Sequence, residues 1–221
     1  MAGMVIRTDK LKATLKARRQ QAVTAWTFFQ QWLKAPLTTA AISPSSKELA
    51  AEMMREVPKE SGHVIELGGG TGVFTEALLD HGIPGERLLV FELNETLHMH
   101  LRTKFPQANI VCADARELPR IVEAANFCTP GEVDVIVSGL GLLSMSKELQ
   151  QEILEAAFAV LSPQGRLVQF TYGPTCPVKR EVMRALGLHA RRTGFTIWNV
   201  PPASVYVIKK SVAKRVKALR V

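Results

Sequence analysis

The stretch Val64–Phe74, VIELGGGTGVF, decides how the rest of the chain is read. An apolar run ends in Glu66-Leu67, and Gly68, Gly69, Gly70, Thr71 and Gly72 follow before apolar spacing resumes. Glycine permits a tight turn with positive φ and lets a ligand approach the backbone, so a strand, a ligand-holding turn and a helix are expected in succession. A dinucleotide fingerprint GxGxxG or GxGxxA fails here, because Thr75 or Val73 stands at its last position. A phosphate loop would require Lys after the final glycine, where Val73 stands. What remains is E-x-G-x-G-x-G, running from Glu66 to Gly72.

Working outward, alternation of short apolar runs with helical patterns predicts strands at 63–67, 87–92, 109–112, 132–138 and 165–172. Helices are expected at 73–82, 94–105, 117–127 and 146–161, with a further helix near 178–187. Two last strands, in HARRTGFTIWNV and ASVYVIKK, join through Pro201–Pro202. Such alternation implies βαβ units, hence a Rossmann-like α/β sheet of seven strands, mostly parallel with one antiparallel and covered by helices on both faces. Upstream, Ser45 with Glu48 three positions on reads as a capping box opening another helix.

Residues 5–34 lack Gly and Pro and favour a helix that Pro36 stops. Residues 1–36 are therefore set apart as a basic amphipathic helix, and 37–221 as the catalytic domain with a basic tail at 209–221. Charge divides in the same way. Residues 1–34 and 209–221 each carry a net +6, whereas 35–208 carry −4, within a total of +8. A mildly acidic body with basic ends points to an anionic surface, membrane or nucleic acid. Lys12, Lys16, Arg18 and Arg19, with Trp26, Phe28, Phe29 and Trp32, suit a helix lying in a membrane interface. The same residues could instead form a lid over the domain or a contact in a homodimer, and the chain is expected to be a monomer or a homodimer.

Cys112, Cys128 and Cys176 are odd in number and form no CxxC pair, as expected of thiols in a reducing compartment. His98 and His100 have no third ligand nearby, so no metal is expected. No signal peptide and no apolar run of about 20 residues is visible, so a cytoplasmic chain, peripheral on the inner face of a membrane, is expected.

The glycine motif resembles the first motif of the class I S-adenosylmethionine-dependent methyltransferases, and further residues fall where that resemblance puts them. Glu92, in LLVFELN with Leu93 after it, implies an acid for the ribose hydroxyls of S-adenosylmethionine. Asp114 and Ala115, in VCADA, imply the adenine contact, and Ser138-Gly139-Leu140 the wall beside the reactive methyl. With Glu66, Gly68, Gly70, Thr71 and Gly72 these form the implied cofactor site.

From about Ala40 to Asp114 the chain is similar to the rRNA adenine dimethyltransferases, including the lead-in from Ser43 to Met54. Those enzymes use an Asn-Leu-Pro-Tyr type motif to take a flipped base; here Ser138-Gly139-Leu140-Gly141-Leu142 offers neither Asn, Pro nor an aromatic ring. Over nearly its whole length the chain looks like a bacterial phospholipid N-methyltransferase. TTAAISPSSKELA, VSGLGLLS, GRLVQFTYGPTCPV and WNVPPASVY carry that resemblance, with Gly141 a departure where Pro is expected.

The resemblance implies stepwise N-methylation of phosphatidylethanolamine towards phosphatidylcholine, with a phospholipid and not a nucleic acid as acceptor. An RNA adenine methyltransferase, a methyltransferase for another amine lipid, and a noncatalytic membrane-binding protein are the alternatives. Within the lipid reading, Ser138, by its carbonyl or hydroxyl, steers the amine or the methionine end of the cofactor, and Tyr172 offers either a hydroxyl or a π-face to a methylated cation. Arg191 with Arg192, or Lys179 with Arg180, would meet the lipid phosphate.

Overall fold

The computed structural model describes residues 46–172, 175–199 and 202–211. The expected helix over 5–34, its membrane-facing residues Lys12 to Trp32 and most of the basic tail lie outside these residues.

Strands β1 (His63–Leu67), β2 (Leu88–Glu92), β3 (Asn109–Cys112), β4 (Val133–Ser138), β5 (Leu161–Thr171), β6 (Leu188–Thr196) and β7 (Ala203–Lys210) form one sheet in the order β3-β2-β1-β4-β5-β7-β6. The first five pair in parallel, and β7 runs antiparallel to both β5 and β6. The helices are α1 (Lys47–Met54), α2 (Val73–Asp80), α3 (Glu95–Lys104), α4 (Leu118–Ala124), α5 (Lys147–Val160) and α6 (Arg180–Ala185).

Because β1, β2 and β4 are buried on both faces, their sequences are nearly continuous apolar runs (LLVFE, VDVIVS) rather than alternating ones. Alternate residues feed two cores. Leu49 and Met53 of α1, Phe74 and Leu78 of α2, and Leu101 of α3 cover one face, with Val64, Val90, Val137 and Phe170 beneath them. Leu118 and Val122 of α4, Leu154 and Phe158 of α5, and Val182 of α6 cover the other, against Ile65, Leu89, Ile136 and Leu167. Helices on both faces and a parallel sheet confirm the Rossmann-like expectation.

Two local expectations need correction. Helix α1 is capped by Ser46, whose Oγ accepts from the Leu49 N–H at 3.1 Å, and not by Ser45. Tertiary contact makes that choice, since the Ser46 N–H donates to Asn199 Oδ1 at 2.8 Å. Strand β5 begins at Leu161 instead of 165, because Ser162-Pro163-Gln164-Gly165 is an irregularity inside the strand. Val133 pairs with Leu161 and Val135 already with Arg166, so the residues that read as a turn are absorbed as a bulge.

Strand order reverses between β1 and β4, which leaves a crevice at their carboxyl ends.

Candidate active site

The turn after β1 enters that crevice. Gly68, Gly70 and Gly72 have φ of +76°, +56° and +85°, a region that side chains rarely enter. Gly72 stands at the N-cap of α2, and a Cβ there would come within 2.3 Å of Phe105. At Gly69 the constraint is packing, since a Cβ would lie 2.6 Å from Val90 Cγ1 and 2.8 Å from Leu101 Cδ1. The Gly68 and Gly69 N–H groups both donate to the Phe91 carbonyl, at 2.8 and 3.1 Å, which ties the turn to β2.

Three carboxylates stand around the turn in different surroundings. Glu66 is fully buried, its Oε2 accepting from the Thr75 hydroxyl at 2.6 Å. Burial pushes its carboxyl up to about 8, the Thr75 bond pulls down, and the Glu92 charge adds to the rise. Its Oε1 is buried with no partner in the protein. Glu92 closes β2, with Oε2 accepting from the Gly70 N–H and Oε1 from the Asn94 N–H, each at 2.8 Å. Asp114 caps the single turn Ala115–Glu117. Arg116 grips Asp114 with its Nη2 at 2.8 Å and Nε at 3.1 Å, reaching Glu152 with its Nη1 at 3.1 Å. Those Arg116 bonds hold the Asp114 carboxyl below the usual range.

Opposite the glycine turn stands the end of β4. The Gly139 N–H donates to the Leu67 carbonyl at 2.8 Å, and a Cβ at Gly139 would lie 2.9 Å from the Gly68 carbonyl oxygen. Ser138 is buried, its Oγ accepting from the Leu140 N–H at 3.3 Å. Leu140 leans on the turn, its Cδ2 being 3.1 Å from a Cβ built at Gly68. The structure thus brings Glu66, Gly68, Gly70, Thr71, Gly72, Glu92, Leu93, Asp114, Ala115 and Ser138–Leu140 to one edge, at or just beyond the ends of β1 to β4.

Tyr172 follows β5 at the same edge and stacks edge-on against Phe170, with ring centroids 5.2 Å apart. Lys179 is drawn towards the β4 loop, where its Nζ donates to the Met145 carbonyl at 3.0 Å. Arg180, exposed, opens α6 beside it. Arg191 and Arg192 are not gathered in. They are exposed on β6, the outermost strand, with β7 and β5 between them and Ser138.

Two buried glutamines escaped the sequence reading. Gln169, in register with Ser138 on the neighbouring strand, donates from Nε2 to the carbonyls of Leu140 (2.9 Å) and Phe170 (2.8 Å). Gln150 of α5 donates to the carbonyls of Leu142 (2.6 Å) and Pro177 (3.2 Å) and accepts from the Lys179 N–H (2.9 Å). An amide inside the apolar run LVQFT was the available signal for Gln169, because a buried amide must find partners.

These features fit S-adenosylmethionine. Oxygens on Glu92 suit ribose hydroxyls, and Leu93 beside it is 66% exposed, an apolar surface for an adenine face. The crowded glycines keep the turn free of side chains for the methionyl portion, and the unpartnered Glu66 Oε1 is a polar atom beneath it. Among the described residues no group of His, Cys, Asp or Glu could hold a metal ion, and no helix is long and apolar enough to cross a membrane.

Comparison with known proteins agrees. Residues 64–165 match the family model described as a methyltransferase domain. An ornithine lipid N-methyltransferase of Singulisphaera acidiphila is 33% identical over 151 residues, covering 66% of this chain and 77% of that protein. A TehB-like SAM-dependent methyltransferase from Corynebacterium glutamicum superposes with a TM-score of 0.54 at 18% identity, over 86% of this chain and 99% of that one. TrmN from Thermus thermophilus does so with 0.58 at 24% identity, over 76% of this chain and 50% of that one. These two likenesses speak to the fold alone. With the glycine turn, the sheet order and the sequence relative in agreement, the chain belongs to the class I S-adenosylmethionine-dependent methyltransferases.

Proposed function

We propose that this methyltransferase acts on the primary amine of a membrane lipid head group, converting phosphatidylethanolamine stepwise towards phosphatidylcholine at an anionic membrane surface. Ornithine lipid, the acceptor named for the relative, is the rival acceptor of the same chemistry. The observation that carries the reading is 33% identity with a lipid N-methyltransferase. The acceptor wall supports it: Ser138–Leu142 offers backbone groups and a buried serine hydroxyl but no ring or amide on which a base could stack or pair.

S-adenosylmethionine supplies a methyl group already activated on a positive sulfonium, so the chain's own task is alignment and exclusion of water. The attacking nitrogen must be neutral, because an ammonium has no lone pair. A positive charge next to the amine lowers its pKa, so no dedicated strong base is required. Ser138, Gly139 and Leu140 aim the amine, with Leu140 fixed by Gln169 and the loop beyond it by Gln150. Tyr172 offers its ring to the cation that accumulates as methyl groups are added. For the lipid phosphate, Lys179 and Arg180 flank the acceptor loop and are preferred over Arg191 and Arg192.

The test uses methyl-labelled S-adenosylmethionine with vesicles containing phosphatidylethanolamine, vesicles containing ornithine lipid, and total rRNA in separate arms. Label in mono-, di- and trimethylated phosphatidylethanolamine is expected. Label confined to ornithine lipid would move the acceptor within the same reaction class, and label in RNA alone would overturn the reading.

A further inference from the structure

The β6–β7 hairpin carries a surface outside the cofactor site described above. Phe195 is level with Ser204 of β7 and Thr171 of β5, so the hairpin closes on the same edge of the sheet as the glycine turn. At this closure Phe195, Ile197 and Trp198 are 53%, 60% and 76% exposed, and Leu143 in the loop after β4 is 52% exposed. The tip is held in shape: the Trp198 N–H donates to Thr196 Oγ1 at 3.2 Å, and Asn199 takes the Ser46 N–H. Large apolar side chains on a set loop are an unusual use of surface in a protein that meets only water.

Charge indicates what they meet. Near the tip the hairpin carries Arg191 and Arg192 and no acid, while Lys209 and Lys210 stand at the opposite end of the strands. Arg192 lies roughly 10 Å from Phe195 along the strand at the usual rise per residue, within a Debye length or so of the tip. Glu52, which reaches towards Gly194, is already paired with Arg55 at 2.6 Å. An apolar tip ending in an indole, backed by arginines, fits the boundary between acyl chains and anionic head groups.

We propose that the hairpin tip Phe195–Trp198 inserts into the interface of an anionic bilayer, with Arg191 and Arg192 on the head groups. This would hold the methyl-transfer edge against the lipid surface. The proposal rests on the lipid reading for its biological sense, but its test does not require turnover.

Of the three tryptophans, Trp26 and Trp32 are replaced by Phe, so that Trp198 alone reports. Vesicles of phosphatidylcholine with phosphatidylglycerol, with and without shallow-brominated acyl chains, are then titrated. Expected results are a blue shift and bromine quenching of Trp198, and a partition coefficient lowered about tenfold or more by the pair Phe195→Ser and Ile197→Ser, which leaves the reporter in place. Arg191→Gln with Arg192→Gln should lower it about thirtyfold on anionic vesicles and little on neutral ones.

Vesicle binding without quenching of Trp198, or no vesicle binding, would overturn the proposal. So would protection of Trp198 from iodide before vesicles are added, which would mean that residues 1–45 or a second copy cover the tip. Folding of each variant is checked by the rise in melting temperature on adding S-adenosylmethionine. Methylation of detergent-dispersed phosphatidylethanolamine and ornithine lipid by the same proteins separates the two ideas. Quenching without lipid methylation retains the docking surface and discards the lipid reading; lipid methylation without quenching does the reverse.

Discussion

Ser138 and Gln169 stand side by side on β4 and β5 and hold the two ends of Leu140. Ser138 Oγ accepts from its N–H and Gln169 Nε2 donates to its carbonyl. The Gln169 amide has only one sensible orientation, because both neighbours of Nε2 are carbonyl oxygens. Replacing Gln169 with Leu leaves the Leu140 carbonyl without its partner, at a cost of about 1–3 kcal/mol. Methyl transfer is expected to fall roughly ten- to hundredfold by the same figure, while S-adenosylmethionine affinity, measured by calorimetry, changes little. Equal losses in both would show that Gln169 serves the cofactor pocket instead.

Gly72→Ala combines a left-handed φ with a collision at Phe105. The backbone term costs about 1–2 kcal/mol and the overpacking about 1–3 kcal/mol. Thermal melting should show a clear destabilisation, and added S-adenosylmethionine should no longer raise the melting temperature. Added to Phe105→Ala, where the collision is gone, Gly72→Ala should cost only about the backbone 1–2 kcal/mol, less than it costs in the wild type.

Glu66 makes stability depend on pH in an unusual direction. Its carboxyl lies at about 8 in the folded chain against an ordinary 4.5, so the folded chain holds a proton that the unfolded chain releases. That contribution is fully present below 4.5 and is lost as pH rises to about 8. The melting temperature of the wild type minus that of Glu66→Gln should therefore shrink from pH 5 to pH 9. A difference that grows with pH would show that Glu66 is ionised in the folded chain.

Tyr172 packs its ring against Phe170, and the proposed role belongs to that ring. Tyr172→Phe should keep kcat/KM within about threefold, whereas Tyr172→Ala should lose up to about thirtyfold, most strongly with dimethylated acceptor. Loss of activity in Tyr172→Phe without loss of cofactor binding would assign the role to the hydroxyl.

Much of the fold was legible because strand and helix periods differ and the glycine turn marks where one gives way to the other. Strands β1, β3 and β7 fall on the residues expected. What escaped was decided by partners distant in sequence. Nothing local distinguishes Ser45 from Ser46 as a cap; Asn199, 153 residues away, settles it by holding the Ser46 N–H. Pro163 and Gly165 read as a break because their neighbours on β4, which let β5 continue past them, are not visible in the local pattern. In the site, acids and glycines announced themselves by type and spacing. Gln150 and Gln169 did not, since their importance lies in which carbonyls they meet.

The strand order has a consequence for how the chain assembles. Strand β6 is made before β7 yet bonds to β7 alone, so it joins the sheet only through β7. Strands adjacent in sequence close faster than parallel pairs that wait on long crossovers, so the hairpin is expected to form early and then pair onto β5. Until it docks, β5 presents an open ladder with Leu167, Val168 and Phe170 along it, a template for pairing between molecules. Once docked, the outer edge is β6, with two exposed arginines and a register irregularity between Arg192 and Gly194. The same strand that we place near a membrane is thus also one of the two edges of the finished sheet, and damage to β7, which joins it to β5, should appear first as aggregation.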